Sequence, residues 1–262
     1  MELAQQEFIK KMRIAGKIAA STLEMIEQHI QPGVTSNILN KICHDYIISH
    51  DAVPAPLGYK GFPKSICTSV NHVICHGIPN DKLLKNGDII NIDVSLSKDG
   101  AFADTCKMYF VGQPSVMAKR IVQCAQECLY YAINQVKDNA SIRNIGRVIQ
   151  KNARKYGYSV VRNFCGHGIG RMLHQNPQIL HYDDASYENQ YMKAGMTFTI
   201  EPMINVGKPD VTILPDGWTA ITKDRSLSAQ YEHTLLVLSD GVEILTLRNE
   251  EDLSHIKSFI KV

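Results

Sequence analysis

Two aspartates, Asp93 and Asp104, stand on the two arms of a strand–turn–strand pattern. Between positions 90 and 96 the apolar residues are Ile90, Ile92, Val94 and Leu96, so Asn91, Asp93 and Ser95 share the opposite face. With Lys98–Asp99 as the hairpin loop, Asp93 lies directly across from Asp104. An Asp99–Gly100 loop makes them diagonal neighbours on one face, and a three-residue loop needs a bulge to do so. Facing carboxylates repel one another, and a shared proton or a cation removes the repulsion. Two aspartates open to water are the plain alternative. Downstream, His167 is flanked by glycines in Gly166-His167-Gly168-Ile169-Gly170, which allows close approach of backbone or ligand. Glu201 shares a strand face with Thr197 and Thr199, and Glu232 precedes the apolar run Leu235-Leu236-Val237. A turn that happens to hold a histidine and edge positions open to water are the plain alternatives here. Taken together, four carboxylates and one imidazole offer oxygen-rich, hard-to-borderline ligation. That set suits two divalent ions such as Mn, Fe, Co or Zn, roughly 3.5–4 Å apart, rather than a thiolate zinc cage.

The elements that must position these residues follow from periodicity. From Phe8, the residues Met12, Ala15, Ala19, Ile26 and Ile30 form the stripe of an amphipathic helix ended by Pro32-Gly33. Thr35-Ser36 caps a second helix whose face carries Leu39, Ile42 and Tyr46. A loop rich in breakers follows, with Pro54, Pro56, Gly58, Gly61 and Pro63. Positions 89–96 and 101–111 form the hairpin. The order then repeats. A helix spans 116–136, Ser141 caps another that Gly157 stops, and strands follow at 159–163, 197–206, 211–214, 218–222, 229–238 and 242–247. Two similar α+β halves sharing one sheet, within a single domain spanning 1–262, is the expected organisation.

Composition narrows the function. Of 262 residues, 44% are hydrophobic and 21% charged, the mix of a globular protein, with a net charge of only +2. Nucleic-acid binding is thereby disfavoured as the main task, leaving room for a small basic patch that touches RNA or a ribosome. No run of roughly 18 apolar residues exists for a membrane span, and the start of the chain lacks a signal-peptide core. Seven cysteines with no Cys-x-x-Cys pair fit reduced thiols in the cytoplasm.

The chain resembles the type I methionine aminopeptidases of bacterial length along nearly its whole extent. The resemblance rests on Ile92-Asp93-Val94, Asp104-Thr105, Phe164-Cys165-Gly166-His167-Gly168-Ile169-Gly170, Thr199-Ile200-Glu201-Pro202 and Ser228-Ala229-Gln230-Tyr231-Glu232-His233-Thr234. It implies the pita-bread fold, an α/β (α+β) arrangement of two pseudo-symmetric helix-helix-strand halves around a shared, mainly antiparallel curved sheet. By resemblance, Asp93, Asp104, His167, Glu201 and Glu232 match the metal ligands, with Asp104 and Glu232 bridging both ions. Asn71, Val73 and Ser228 match a secondary monovalent-cation site. His76 and His174 match histidines that contact substrate near the scissile peptide. Tyr59, Phe62, Cys67, His76 and Trp218 match the methionine pocket.

Here the sequence departs from the commonest bacterial pattern. Pro56 replaces a frequent cysteine, Phe62 a frequent tyrosine, and Leu173 the phenylalanine that often precedes the second histidine, changing pocket shape while keeping its apolar character. His29, His44, His50 and His181 read as structural or exposed, and His233 as facing away from Glu232. No zinc-finger extension precedes the first helix. No helical insertion of type II size separates His167 from Glu201, a gap that includes positions 182–189.

The implied activity is removal of initiator methionine ahead of a small second residue. A metal-bridging hydroxide attacks the scissile carbonyl, Glu201 shuttles the proton, His174 steadies the oxyanion and His76 positions the peptide nitrogen. Nascent N-termini beginning with Met are the implied partners, with a transient ribosome contact, no membrane and a monomeric cytoplasmic enzyme. A prolidase of the same fold is the competing enzyme, although its relatives carry a large N-terminal domain. A catalytically dead peptide-binding member is the competing non-enzyme, although such proteins lose ligands and all five are intact here.

Overall fold

The computed structural model describes residues 3–186, 190–251 and 253. Of the stretch 182–189 weighed above, 187–189 lie outside the described residues. Helix α1 (Leu3–Ile26) buries Met12, Ala15, Ala19 and Ile26, and a 3₁₀ turn at Glu27–His29 carries the chain toward Pro32. Helix α2 (Ser36–Ser49) starts where expected, the Thr35 hydroxyl accepting the Ile38 N–H at 3.3 Å. Strands β1 (Val53–Pro54), β2 (Cys67–Val70), β3 (Val73–Cys75), β4 (Ile89–Lys98) and β5 (Ala101–Phe110) complete the first half.

The second half opens with α3 (Val116–Ile133), capped by Ser115, and α4 (Arg143–Tyr156), ended by Gly157 at φ 76°. Strands β6 (Ser159–Val160), β7 (Gly166–Gly168), β8 (Gln175–Ile179), β9 (Thr197–Ile200) and β10 (Met203–Asn205) follow. The series ends with β11 (Val211–Ile213), β12 (Ala220–Thr222), β13 (Ser228–Gln230), β14 (His233–Val237) and β15 (Val242–Ile244).

Helix α4 corrects one expectation. Ser141 does not cap it, because Ser141 pairs with Tyr191 in an isolated bridge and the helix begins after Ile142, with no side-chain cap. The strands pair in four antiparallel ladders: β1–β4–β2 with β5 beside β4, β13–β10–β6, β11–β12–β3, and β15–β14–β9–β7–β8. Two expected strands are corrected. The expected strand 197–206 breaks after Ile200, where Pro202 has no N–H to give, and the expected strand 229–238 breaks at Tyr231–Glu232. At that second break Glu232 pairs with Cys106 of β5, which joins the two halves of the molecule.

The two larger cores lie mainly one in each half, and Ile9, Met12 and Ala101 pack with Ile169, Leu173 and Leu236 across them. Ile90, Ile92, Val94 and Leu96 of β4 pack with Leu23, Ile26, Leu39 and Ile47 from α1 and α2. Phe198, Ile200 and Leu235 pack with Ile121, Leu129, Ile145 and Ile149 from α3 and α4. With alternate residues committed to the helices, the odd positions of β4 are left for the opposite face.

Candidate metal centre and active-site cavity

The hairpin register is set at its turn. Lys98 pairs with Ala101, so Asp99 and Gly100 form the loop, at φ 50° and 78°. Both values lie in the left-handed region that a tight two-residue hairpin requires. Asp93 therefore faces Cys106 and Asp104 faces Ser95, making the two aspartates diagonal neighbours on one face rather than a directly opposed pair. The Ser95 hydroxyl donates to Asp104 Oδ1 at 2.7 Å.

From the second half, β7 and β9 deliver His167 and Glu201. Thr199 couples them. Its hydroxyl accepts the His167 N–H at 3.0 Å and donates to Glu201 Oε1 at 2.9 Å. Gln230 Nε2 holds the other Glu201 oxygen at 3.3 Å, and the Glu201 N–H donates to His181 Nε2 at 3.2 Å. His167 Nδ1 lies 3.1 Å from the Gly168 carbonyl, which can only accept, so Nδ1 carries the hydrogen. The free Nε2 then points at the acids, 3.5 Å from Glu201 Oε1 and 3.7 Å from Asp104 Oδ2. The glycines flanking His167 are steric necessities: a side chain at Gly166 would strike the Thr199 carbonyl, and one at Gly168 the Asn176 carbonyl.

Glu232 closes the cluster through the seam. Its N–H donates to the Cys106 carbonyl at 3.1 Å, and Thr105 Oγ1 donates to the Glu232 carbonyl at 2.7 Å. Thr234 Oγ1 accepts the Asp104 N–H at 3.0 Å and returns a bond to the Asp104 carbonyl at 2.8 Å.

So many acids in one dry place perturb each other. Burial, then the charges of Asp104 and Glu201, push Asp93 well above the usual carboxylate range. Burial and the neighbouring carboxylates do the same to Glu232, while burial raises Glu201 to about 7 against the opposing pull of His167. Burial lowers the basicity of His167, but the bond to Asp104 and the charges of Glu201 and Asp104 outweigh it and raise it to about 9. One oxygen each of Asp93 and Glu232 is buried with no hydrogen-bond partner in the protein. Asp104, His167 and Glu232 offer ligand atoms within 4.8 Å of one another. Carboxylates packed against each other with orphaned oxygens, beside an imidazole whose Nε2 is turned toward them, fit divalent cations that would take the place of the shared protons.

All five residues line one cavity of about 700 Å³, together with His76, His174, Tyr59, Phe62, Cys67 and Trp218. Phe62 meets Trp218 edge-on at 5.2 Å, and the His76 ring is edge-on to Phe164 at 5.3 Å. His76 sits at φ 54°, a strained conformation for a non-glycine residue and one often found at functional positions. At the mouth, His174 Nδ1 lies 3.0 Å from the Tyr59 hydroxyl and its ring centroid 4.3 Å from that of His167. Burial and the neighbouring His167 lower His174 to about 4. Pro56 and Leu173 line the same cavity.

Asn71, Val73 and Ser228 lie outside that lining. The Asn71 carbonyl accepts the Ser228 N–H at 2.9 Å, and its side-chain oxygen accepts the Ile89 N–H at 3.1 Å. His233 faces away from the cavity as expected, bonded to Thr246 and Glu251. Sequence reasoning passed over Ser95, Thr199, Gln230 and His181 as functional supports. For Ser95 and Thr199 the signal was present, since strand alternation puts them on the faces of Asp93 and Glu201. For Gln230 and His181 only the folded chain brings the contact about.

Residues 10–239 match the family model for metallopeptidase family M24. A methionine aminopeptidase of Escherichia coli (strain K12) is 55% identical over 254 residues, 96% of each chain. The crystal structure of a methionine aminopeptidase from Rickettsia prowazekii superposes with a TM-score of 0.90 at 53% identity, covering 92% of this chain and 98% of that one. A prolidase from Pyrococcus furiosus, at 21% identity and a TM-score of 0.73 over 93% of this chain and 65% of its own, shares the fold alone. The α/β pita-bread architecture expected from the motifs is the one these structures share. The chain belongs to metallopeptidase family M24, and within it to the methionine aminopeptidases.

Proposed function

We propose that this metallo-aminopeptidase, acting as a single catalytic domain over 1–262, removes initiator methionine from peptides and nascent chains whose second residue is small. The observation that carries this reading is the convergence of Asp93, Asp104, His167, Glu201 and Glu232 in one cavity walled by Phe62, Cys67 and Trp218. Those five residues would hold two divalent ions of the Mn, Fe, Co or Zn type. When bound, the ions supply Lewis acidity at the scissile carbonyl.

The remaining steps belong to the side chains. The apolar wall takes the methionine side chain and excludes water from it. Glu201, its two oxygens fixed by Thr199 and Gln230, carries a proton from the attacking water to the departing amine. His174 accepts the Tyr59 hydroxyl hydrogen on Nδ1, which leaves Nε2–H to meet the oxyanion. His76, held between Phe164 and Trp218, positions the peptide nitrogen.

A monovalent cation near Asn71, Val73 and Ser228 and a transient ribosome contact belong to the same proposal, as does a monomer working in the cytoplasm. Seven free cysteines, six of them buried, support a reducing compartment. Among the described residues no helix is long and apolar enough to cross a membrane. The test is hydrolysis of Met-Ala, Met-Leu and Xaa-Pro peptides by metal-depleted protein reconstituted ion by ion. Methionine release from Met-Ala, with Met-Leu cleaved poorly, is expected. Release from neither defeats the proposal, and cleavage of Xaa-Pro alone favours a prolidase.

A further inference from the structure

Behind the acid cluster, on the reverse face of β5 and β14, lies a second set of buried polar groups. Strand alternation puts Asp104 toward the cavity and Thr105 away from it; likewise Glu232 faces the cavity and His233 the reverse side. Thr105 and His233 are fully buried and Arg248 is 2% exposed. The Arg248 guanidinium donates through Nη1 to Thr105 Oγ1 at 3.2 Å and through Nη2 to Glu251 Oε1 at 2.8 Å. Glu251 Oε1 also takes a bond from His233 Nε2 at 3.0 Å, and its Oε2 accepts the Arg248 backbone N–H at 2.9 Å. Thr105 in turn donates to the Glu232 carbonyl at 2.7 Å.

One planar, permanently charged fork therefore grips the residue after Asp104 and, through Glu251, the residue after Glu232. The two acids come from different halves of the chain, and the bridge at Cys106–Glu232 is a single isolated pairing rather than a ladder. Thr234 ties the Asp104 backbone across the seam from one side, and behind the acids the Arg248–Thr105 contact spans the same seam. We propose that Arg248 and Thr105 are positioning residues for the metal centre, setting the spacing between Asp104 and Glu232. This rests on the metal-centre reading above.

The test uses the full-length chain, stripped of metal and titrated with Mn²⁺ by calorimetry, with thermal unfolding of the metal-free form alongside. Removing a group that orients metal ligands typically weakens affinity about 10- to 100-fold. Thr105→Val should lose Mn²⁺ affinity by that factor while Thr105→Ser, which keeps the hydroxyl, stays within about threefold of the parent. A purely structural role would lower the unfolding temperature and leave the Mn²⁺ affinity of the folded protein untouched, and that result overturns the proposal. Should Thr105→Val fail to unfold cooperatively, Arg248→Lys, which keeps the buried charge but not the fork, is titrated instead. Parental affinity in that variant also overturns the proposal. An unsubstituted protein that takes up no Mn²⁺ defeats the metal reading itself, whereas one that binds equally with and without the Thr105 hydroxyl defeats only this inference.

Discussion

At His174 two hydrogen-bonding demands meet on one imidazole. Nδ1 is engaged by the Tyr59 hydroxyl, and the ring lies 4.3 Å from that of His167, centroid to centroid. The charged form is disfavoured there, the group being lowered to about 4 by burial and by His167, so near neutral pH the side chain is a neutral hydrogen-bond donor. Removing one donor aimed at developing oxyanion charge typically lowers kcat by about a hundred- to a thousandfold. His174→Ala should therefore retain its metal content and most of its substrate affinity while kcat collapses. Metal analysis with steady-state kinetics decides the matter, because lost metal would make it a ligand and a near-normal kcat would make it a bystander. Tyr59→Phe tests the same geometry more gently. It frees Nδ1 to carry the hydrogen, and kcat should fall roughly tenfold or more with KM little changed.

At the scale of elements, the thin strand β7 controls the site. It is three residues long, and both of its glycines lie against carbonyl oxygens of neighbouring segments. Gly168→Ala should cost about 1–3 kcal/mol by overpacking. For a chain of this size that lowers Tm by roughly 2–12 °C, and Mn²⁺ affinity should fall with it as His167 is displaced. Thermal unfolding and calorimetry on that variant check both. Elements of this kind also mark where the sequence stopped being legible. The four helices and the β4–β5 hairpin carry long periodic patterns, and they formed close to where the pattern said, with β4 turning Ile90, Ile92, Val94 and Leu96 inward. Helices α1 and α3 nevertheless end a few residues early, and α4 starts after Ile142. Strands β2, β3, β7 and β8 carry no such pattern. They are three to five residues long, too short to show an alternation, and exist because neighbouring strands offer them partners. The same limit explains the broken strands at Pro202 and Glu232, where the interruption presents an acid to the cavity and leaves no trace in the alternation. The five acidic and imidazole positions were readable as a set. The diagonal arrangement of Asp93 and Asp104 waited on the turn, because either register of a two-residue loop, or a three-residue loop with a bulge, satisfied the sequence.

The whole molecule carries the electrostatic cost of the centre. In the metal-free fold, Glu201 is raised from 4.5 to about 7 and His167 from 6.5 to about 9, so the folded state holds protons that the unfolded chain has released. Stability held this way is full at low pH. It is lost as pH rises, through about 4.5 to 7 for Glu201 and through 6.5 to 9 for His167. Glu251 acts in the opposite sense, since His233 and Arg248 overcome the effect of burial and hold it well below 4.5, so its contribution disappears only in acid. Below about pH 6.5, His174 and His181, lowered to about 4 and about 3, oppose this trend, so metal-free protein should lose stability between about pH 7 and 9, at about 1.4 kcal/mol per pH unit for each proton held. Saturating Mn²⁺ should flatten that slope. Tm measured against pH with and without the ion checks it, and a metal-free curve that rises over the range contradicts it.

The joint between the halves has a consequence of another kind. Asp93 and Asp104 precede the exposed stretch 112–113, whereas His167, Glu201 and Glu232 follow it. A polypeptide cut at that point becomes a pair of fragments, neither of which owns a complete donor set. Metal that binds only the reunited pair works as a molecular glue. With free ion at about one hundred times its dissociation constant, complementation of the two fragments should tighten by about 2.7 kcal/mol, roughly a hundredfold. Chelation should then drive them apart, turning a hydrolytic centre into a reversible latch.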